Sequence, residues 1–513
     1  MFHVARSLGA LLCAGLLVSA LTTASPAQPT RTGPAAYVPA TVDASDLKTA
    51  DRGAGADRDD RPNVIVVLTD DMRADELKQM PRTRALIRDR GMELTDATSP
   101  HPLCCPARVE LLTGQYGQNN GVRHNESRYG GYHRLKTGNT IGTWFAGQGY
   151  NAAFVGKHVN GYENDSPRDP GWNIWEPITG NPTDYFKFRF FGNERYKGDY
   201  VTRRIEEKTN SAIRALSAAD RPFLLFSNHV APHERQQTGR GGLVNPPYEK
   251  QYAAVAKHLK APSLSARSYN KRVKGGLPSK MQPDPHPKSV VQKKWQARVR
   301  SLQSVDAAVA SMVDALTASG ELDNTYLVFT SDNGYSLGER RLQKKNNLVN
   351  ETLRVPLVIA GPGIAPGSRS PLPVTLVDLV ATITDLTDVQ PTLTTDGASF
   401  APTLRGADQW WRDTTLIQTG YKYNPATDRK LKHKGWALRG VRTERYTYAR
   451  DMNTGEKMLF DRQRDPWELK NVVDTRRYAR VVAELERRAG KLRNCNGDNC
   501  NRTFGRVPKP RKR

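Results

Sequence analysis

Continuous apolar runs rich in β-branched residues recur along the chain: NVIVVLTDD from Asn63, YNAAFVGK from Tyr150, PFLLFSNH from Pro222, TYLVFTSDNG from Thr325 and VPLVIAGPG from Val355. Runs without polar alternation are expected of strands buried on both faces. Between them the period changes. Trp295, Val299, Leu302, Val309, Val313 and Leu316 recur at three- and four-residue steps, which predicts a helix. Strands alternating with helices predict an α/β fold: a large, mainly parallel sheet sandwiched by helices. From about residue 390 the texture shifts. WALRGVRTERYTYARD and EKMLFDRQRDP read as short antiparallel strands around turns. RRYARVVAELERRAGKL reads as an amphipathic helix with Val481, Val482, Leu485 and Leu492 on its apolar side. Together they predict a smaller C-terminal α+β subdomain.

The polar punctuation falls where the apolar runs end. Asp70 and Asp71 close the first, Lys157 the second, Asn228, His229 and His233 the third, and Asp332 and Asn333 the fourth. Ligands of open α/β sheets bind outside the carboxyl ends of the strands, so these residues can line one pocket. Any one of the Asp or Asn residues could instead be a helix cap. Asp70, Asp71, Asp332 and Asn333 are oxygen donors, which select calcium or magnesium over softer metals.

The amino terminus reads as an address. A short basic start, then LGALLCAGLLVSALTTA and SPAQ, have the order of a secretory signal, residues 1–27, with cleavage after Ala27 or Ala24. The apolar run is short for a membrane span, so a secreted, extracellular protein with no membrane attachment after signal removal is expected. Residues 28–60 read as a flexible leader, 61–388 as the catalytic domain and 389–513 as the C-terminal subdomain. The stretch from about 234 to 290 is polar and Pro-rich and reads as a surface loop system beside the site.

Export changes the reading of the cysteines. Cys495 and Cys500, in CNGDNC, suit a small disulfide; Cys104 and Cys105 have no evident partners. The formal net charge of +25 fits either a solvated basic surface or attraction to an acidic polymer. Export and the absence of a recognition motif exclude nucleic acid as the expected partner, leaving an anionic polysaccharide.

In PHPLCCPARVELLTGQYG, Pro106 suits the first turn of a helix. That puts Cys104 at the helix mouth and Arg108 one turn on. Free N–H groups and a guanidinium there suit a tetrahedral oxyanion. They also stabilise a thiolate, so a cysteine nucleophile or a vicinal redox pair are alternative readings.

CCPARVELLTG, Cys104 to Gly114, resembles the sulfatase signature Cys-x-Pro-x-Arg, three residues, Leu-Thr-Gly, and the resemblance extends from about Asn63 to Gly363. It implies an alkaline-phosphatase-like fold and conversion of Cys104 by a separate maturation enzyme to formylglycine, with Cys105 a buried bystander. It further implies that Asp70, Asp71, Asp332, Asn333 and residue 104 hold one calcium, magnesium being possible. Arg108 and Lys157 would hold the hydrated aldehyde, while His233 and Lys345 serve the sulfate and the leaving group, with Lys344 the alternative to Lys345. The implied reaction is a two-step displacement through a covalent sulfate ester. Many members place a histidine two positions after the lysine; here Val159 stands there and His158 comes one residue early. Another departure is VNE, Val349 to Glu351, where many members have Tyr-Glu. GKHVNGY resembles instead the sulfatases of N-acetylglucosamine 6-sulfate. The expected function is a secreted sulfatase acting on a sulfated sugar. The alternatives are a phosphodiester or phosphonate hydrolase of the same superfamily and a non-catalytic polyanion-binding protein.

Overall fold

The computed structural model describes residues 59–512 except 238, 240, 282 and 429–432. The predicted signal, 1–27, and all but the last two residues of the predicted leader, 28–60, lie outside the described residues. No helix among the described residues is long and apolar enough to cross a membrane.

All five apolar runs form strands of one ten-stranded sheet: β1 (Asn63–Thr69), β2 (Asn151–Lys157), β3 (Phe223–Asn228), β4 (Thr325–Ser331) and β5 (Leu357–Ala360). β1 lies between β3 and β4, parallel to both, and β2 pairs parallel with β3. β5 runs antiparallel to β4, so the apolar run alone did not reveal its direction. Short strands extend both edges. Met92–Leu94 and Ser368–Ser370 lie beyond β5; Ile174–Thr179, Lys187–Phe190 and Glu194–Lys197 lie beyond β2.

Side chains of β1 alternate between two apolar layers, as the two-residue period of a strand requires. Val64, Val66 and Leu68 pack with Val109 and Leu112 of helix α1 (Cys104–Thr113) and with Leu379 and Ile383 of the later helix Leu376–Leu386. Ile65 and Val67 pack with Ile205 and Ile213 of α2 (Val201–Ser217) and with Leu302, Val305 and Val309 of α3 (Lys288–Ala318). Each such side chain contributes about 1.5–3 kcal/mol of burial. α3 is the helix expected from Trp295 to Leu316, begun two turns earlier. The helix Leu376–Leu386 is α4.

The C-terminal segment forms a four-stranded antiparallel sheet: β6 (Thr415–Gly420), β7 (Trp436–Arg442), β8 (Tyr446–Asp451) and β9 (Lys457–Asp461). Helix α5 (Ala479–Leu492) lays Val481, Leu485 and Leu492 against this sheet's Leu416, Val441 and Tyr448. Val482 is only partly buried beside them. Cys495 and Cys500 form the expected disulfide. The stretch 234–290 is largely irregular, with short helical turns at Lys250–Tyr252, Pro262–Ser265 and Ser279–Met281.

Candidate active site

Pairing of the central strands determines which loop residues meet. Thr69 stands opposite Ser331 and Leu68 opposite Asn228, so Asp70 and Asp332 leave the sheet side by side. Gly156 is also opposite Asn228, which brings Lys157 to the same end. Main-chain bonds tie the loops together: Asp332 N–H donates to Thr69 O at 3.1 Å and Asp70 N–H to Ala231 O at 3.2 Å. Asp71 takes a left-handed conformation, φ 69°, which Asp tolerates better than most residues. Its N–H donates to Asp332 Oδ1 at 3.0 Å, and Asn333 Nδ2 donates to Asp71 Oδ1 at 2.8 Å.

α1 enters this end of the sheet with Cys104 as its first residue and Leu103 as its cap, two residues earlier than a start at Pro106. Cys104 and Arg108 share a face one turn apart. The Cys104 thiol donates to Asp70 Oδ1 at 3.3 Å and accepts from Lys345 Nζ at 2.8 Å. Arg108 Nε donates to Asp332 Oδ2 at 3.0 Å and its Nη1 to Lys157 O at 2.8 Å. Lys157 Nζ donates to Asp70 Oδ2 and Lys345 Nζ to Asp71 Oδ1. His233 Nε2 lies 3.6 Å from Asp71 Oδ2, while its Nδ1 lies 2.5 Å from Glu234 O. The structure thus brings together Asp70, Asp71, Cys104, Arg108, Lys157, His233, Asp332, Asn333 and Lys345. Lys344 is exposed and takes no part.

Two neighbours stay outside this network. The Cys105 N–H donates to Asn125 Oδ1 at 2.9 Å, its sulfur accepts from Asn160 N–H at 3.2 Å, and burial pushes the thiol up to about 12. His158 Nε2 lies 3.0 Å from Asp169 Oδ2, and the ring is enclosed edge-on by Tyr132, Phe154, Tyr162 and Trp175. It is bound to an aromatic wall rather than to the cysteine.

Burial dominates the electrostatics, and pairing opposes it. Burial alone raises Asp70, but Lys157, then His233 and Lys345, hold its carboxyl well below the usual carboxylate range. Burial lowers Lys345, yet Asp71 and Cys104 hold its ammonium well above the usual lysine range. His233 is lowered by burial and by Lys345, against Asp70 and Asp71. Asp332 is pushed up to about 7 by burial and by Asp70. Burial also raises the Cys104 thiol.

A divalent cation fits these residues. Donor atoms of Asp70, Asp71, Cys104 and His233 lie within 4.8 Å of one another, and Asn333 Oδ1 is buried without a hydrogen-bond partner. The donor set is predominantly oxygen, suited to a hard ion. Asp332 lies at its edge, accepting from Asp71 N–H and Arg108. Three carboxylates face the cations of Arg108, Lys157 and Lys345. An added divalent ion leaves an excess of positive charge that a tetrahedral anion can neutralise.

Behind the site lies a buried layer absent from the sequence reading. Arg298 of α3 donates through Nη2 to Asp71 O at 2.6 Å and to Glu76 Oε2 at 2.7 Å, and through Nε to Glu76 Oε1 at 2.7 Å. Its guanidinium lies 4.5 Å from the Tyr335 ring centroid. Tyr335 donates to Glu234 Oε2 at 3.1 Å, and Lys294 Nζ to Glu234 Oε1 at 2.7 Å. Asp71 and the residue after His233 are therefore braced from one helix. A signal was present: Arg298 sits between Trp295 and Leu302 on the apolar stripe, where an unpaired charge is costly.

The sulfatase family model matches residues 62–389, more than half of the chain. The chain belongs to the sulfatase family. A second family, described as N-sulphoglucosamine sulphohydrolase, C-terminal, matches residues 338–495. Among relatives, an extracellular sulfatase SULF-1 homolog of Drosophila melanogaster is 33% identical over 395 residues, covering 72% of this chain and 34% of that protein. The N-acetylglucosamine-6-sulfatase of Homo sapiens is 31% identical over 392 residues, covering 70% of this chain and 67% of that protein. The matches thus span from about a third to two thirds of those relatives. A protein solved with its substrate D-glucosamine-2-N,6-O-disulfate superposes with TM-score 0.68 at 20% identity, covering 84% of this chain and 97% of the other. The phosphonate monoester hydrolase of Silicibacter pomeroyi superposes with TM-score 0.66 at 20% identity, covering 85% and 96%. These superpositions establish the shared sulfatase-like fold.

Proposed function

We propose that the chain is an exported sulfatase that hydrolyses a sulfate ester on a saccharide, using one divalent cation and a formylglycine made from Cys104 by a separate maturation enzyme. The observation that carries this reading is the position of Cys104: first residue of α1, held between Asp70 and Lys345, with Arg108 one turn behind. When bound, the divalent ion, calcium or magnesium, supplies Lewis acidity, and the formylglycine supplies a hydrated aldehyde as nucleophile. Asp70, Asp71, Asn333 and, from the edge, Asp332 would hold the ion.

The chain's own groups do the rest. Lys157 and Arg108 present fixed positive charge beside residue 104; Arg108 Nη2 is buried with no hydrogen-bond acceptor and is a free donor to an oxyanion. Lys345 stays charged and orients an oxygen of the substrate. His233, with Nδ1 donated to the Glu234 carbonyl, has Nε2 left to carry a proton to the leaving alcohol. The aromatic wall around His158 keeps that side dry.

Several observations support the finer points. GKHVNGY and the N-acetylglucosamine-6-sulfatase relatives support an amino-sugar 6-sulfate as substrate. The apolar leader and relatives named as extracellular support export. Separate ten- and four-stranded sheets support division into a catalytic unit, 61–388, and a C-terminal unit, 389–513. The test is a panel of defined sulfated saccharides assayed for released sulfate, with protein from a host able to form formylglycine and with Cys104→Ala alongside. Release from a 6-sulfated amino sugar that vanishes in the variant is expected. A second reading, a phosphonate or phosphodiester hydrolase, has the fold of the Silicibacter enzyme behind it. It replaces the first if phosphodiesters turn over faster than every sulfate ester.

A further inference from the structure

A cavity of about 760 Å³ lies between the edge of the ten-stranded sheet and the four-stranded sheet. Volumes of roughly 300–1,000 Å³ are those of ligand pockets. Asp96 and Pro371, just beyond the edge strands Met92–Leu94 and Ser368–Ser370, line it together with Pro373 and Trp411. The turn between β7 and β8, Arg488 of α5 and the tail residues Gly505, Arg506, Val507 and Lys509 complete the lining. None of the side chains assembled around Cys104 belongs to it.

The two places share one end of the sheet. Both edge strands run antiparallel to β5's course and therefore parallel to β4, so Asp96 and Pro371 leave the sheet at the end where Asp332 does. Two or three strand spacings separate them from β4, roughly 10–15 Å. β6 gives a similar length. Thr415 lines the cavity, while Gly420, at the other end of the strand, accepts from Asn346, the neighbour of Lys345, at 3.2 Å. At ~3.4 Å per residue the strand spans about 17 Å.

The lining combines guanidinium forks that are already held with two cations that are not. Arg442 donates to both oxygens of Asp96, at 2.9 and 2.8 Å, Arg412 pairs with Asp378, and Arg445 reaches Asp461 at 2.6 Å. These pairs fix the floor and leave it near neutral. Arg442 Nε and Tyr446 Oη are buried in it without a hydrogen-bond partner. The tail is pinned on either side of its charges: Gly505 N–H donates to Asp413 Oδ2 at 2.7 Å, Arg488 Nη2 donates to Gly505 O at 2.6 Å, and Arg511 N–H donates to Arg477 O at 3.0 Å. Between those anchors Arg506 and Lys509 are exposed, and among the described residues neither joins a carboxylate within 4.0 Å. Glu444, exposed in the turn after β7, is likewise unpaired and opposes them.

These features suit one ligand class. Trp411 is partly exposed and fixed, with Nε1 donating to Pro373 O at 3.1 Å and the Arg412 guanidinium 4.9 Å from its ring centroid. An indole gives the C–H face of a sugar ring an apolar surface. Carboxylate–guanidinium pairs both accept from and donate to hydroxyls. Two tethered cations favour an acidic substituent. We propose that this cavity is a second saccharide site, holding one segment of an acidic oligosaccharide while another reaches residue 104. The proposal rests on the sulfatase reading and extends it from single sugars to polymers.

The test is calorimetric titration of the full chain carrying Cys104→Ala, which binds without turnover. The ligands are a sulfated hexasaccharide of alternating amino sugar and uronate, its desulfated form, and a monosulfated amino sugar. Arg506→Gln/Lys509→Gln is expected to weaken the sulfated hexasaccharide about fivefold more than the monosulfate, a few-fold for each exposed charge, and to flatten its salt dependence. Trp411→Leu is expected to weaken it several-fold with the parent's salt dependence, and Glu444→Gln to tighten it about twofold. Lys187→Gln/Lys197→Gln removes the same charge from exposed positions on the far edge strands and is expected to change affinity less than about twofold. The desulfated form tells whether sulfate or uronate is the anion held. Equal loss from both charge pairs, loss from neither, equal loss on the monosulfate, or no binding of the hexasaccharide overturns the site. So does its displacement by an acidic peptide of the same charge at equal concentration. Sulfate release from the monosulfate by converted parent protein is scored separately. No release sinks the sulfatase reading whatever the hexasaccharide does, and release without the expected losses sinks the second site alone.

Discussion

Arg298→Met probes the brace beneath Asp71. The side chains of Arg298 and Glu76 are both fully buried, and the guanidinium meets both carboxylate oxygens at 2.7 Å. Removing the cation strands the Glu76 carboxylate in the interior and leaves the Asp71 carbonyl without its 2.6 Å donor. Breaking a buried pair from one side costs about 3–5 kcal/mol, a large share of the roughly 5–15 kcal/mol that holds a typical domain folded. The double variant Glu76→Gln/Arg298→Met carries no stranded charge, so it is expected to recover about half of that loss or more. Urea unfolding of the parent, both single variants and the double variant gives the coupling directly. Calcium titration of the double variant reads the other consequence. With Asp71 no longer held by its carbonyl, affinity is expected to fall about 10–100-fold, as when an outer partner of a metal ligand is lost. The reasoning fails if Arg298→Met costs less than about 1 kcal/mol, below the weakest hydrogen bond to a charged group. It fails equally if the double variant is no more stable than Arg298→Met and binds calcium as the parent does.

Lys345→Met is expected to lower kcat by about a hundredfold or more, since it removes a positive charge aimed at the reacting group, while Lys344→Met stays near the parent; steady-state kinetics of the pair decides which lysine serves the site. Calcium at a hundred times its Kd is expected to add about 2.7 kcal/mol to unfolding free energy, lost on chelation and read by denaturant titration with and without the ion. His229, pushed down to about 3 by burial, titrates near 6.5 once unfolded. The unfolded chain therefore binds more protons between those values, and stability falls as pH drops through that window. Against the parent, His229→Gln is expected to flatten this acid limb by about 2–3 kcal/mol at pH 4.5; parallel curves would show that His229 is not the proton acceptor.

How much was legible depended on whether a residue's role was local. Asp70, Asp71, Asp332 and Asn333 stood out because each pair ends a strand whose apolar run is continuous, and a sheet places such ends together. Lys157 ends a strand too, but nothing in its own neighbourhood separates a site lysine from a surface one; the sulfatase signature did. Lys345 sits in a loop where Arg340, Arg341, Lys344 and Asn346 all take left-handed conformations, a path set by tertiary contacts rather than by glycine or turn residues. The edge strands Met92–Leu94 and Ser368–Ser370 are too short for any period to show. The antiparallel course of β5 is a matter of topology.

The closing of Lys345 over Cys104 has a consequence in time. The thiol is 1% exposed once the fold is complete, yet the lysine that covers it comes 241 residues later in the chain. At about 5–20 residues per second, a growing polypeptide leaves residue 104 bare for roughly 10–50 s before its cover exists. On the proposed formylglycine reading, the chemistry that remakes the side chain has to be done in that interval or on a chain still kept open, which would make the order of synthesis, modification and folding a determinant of how many molecules are active.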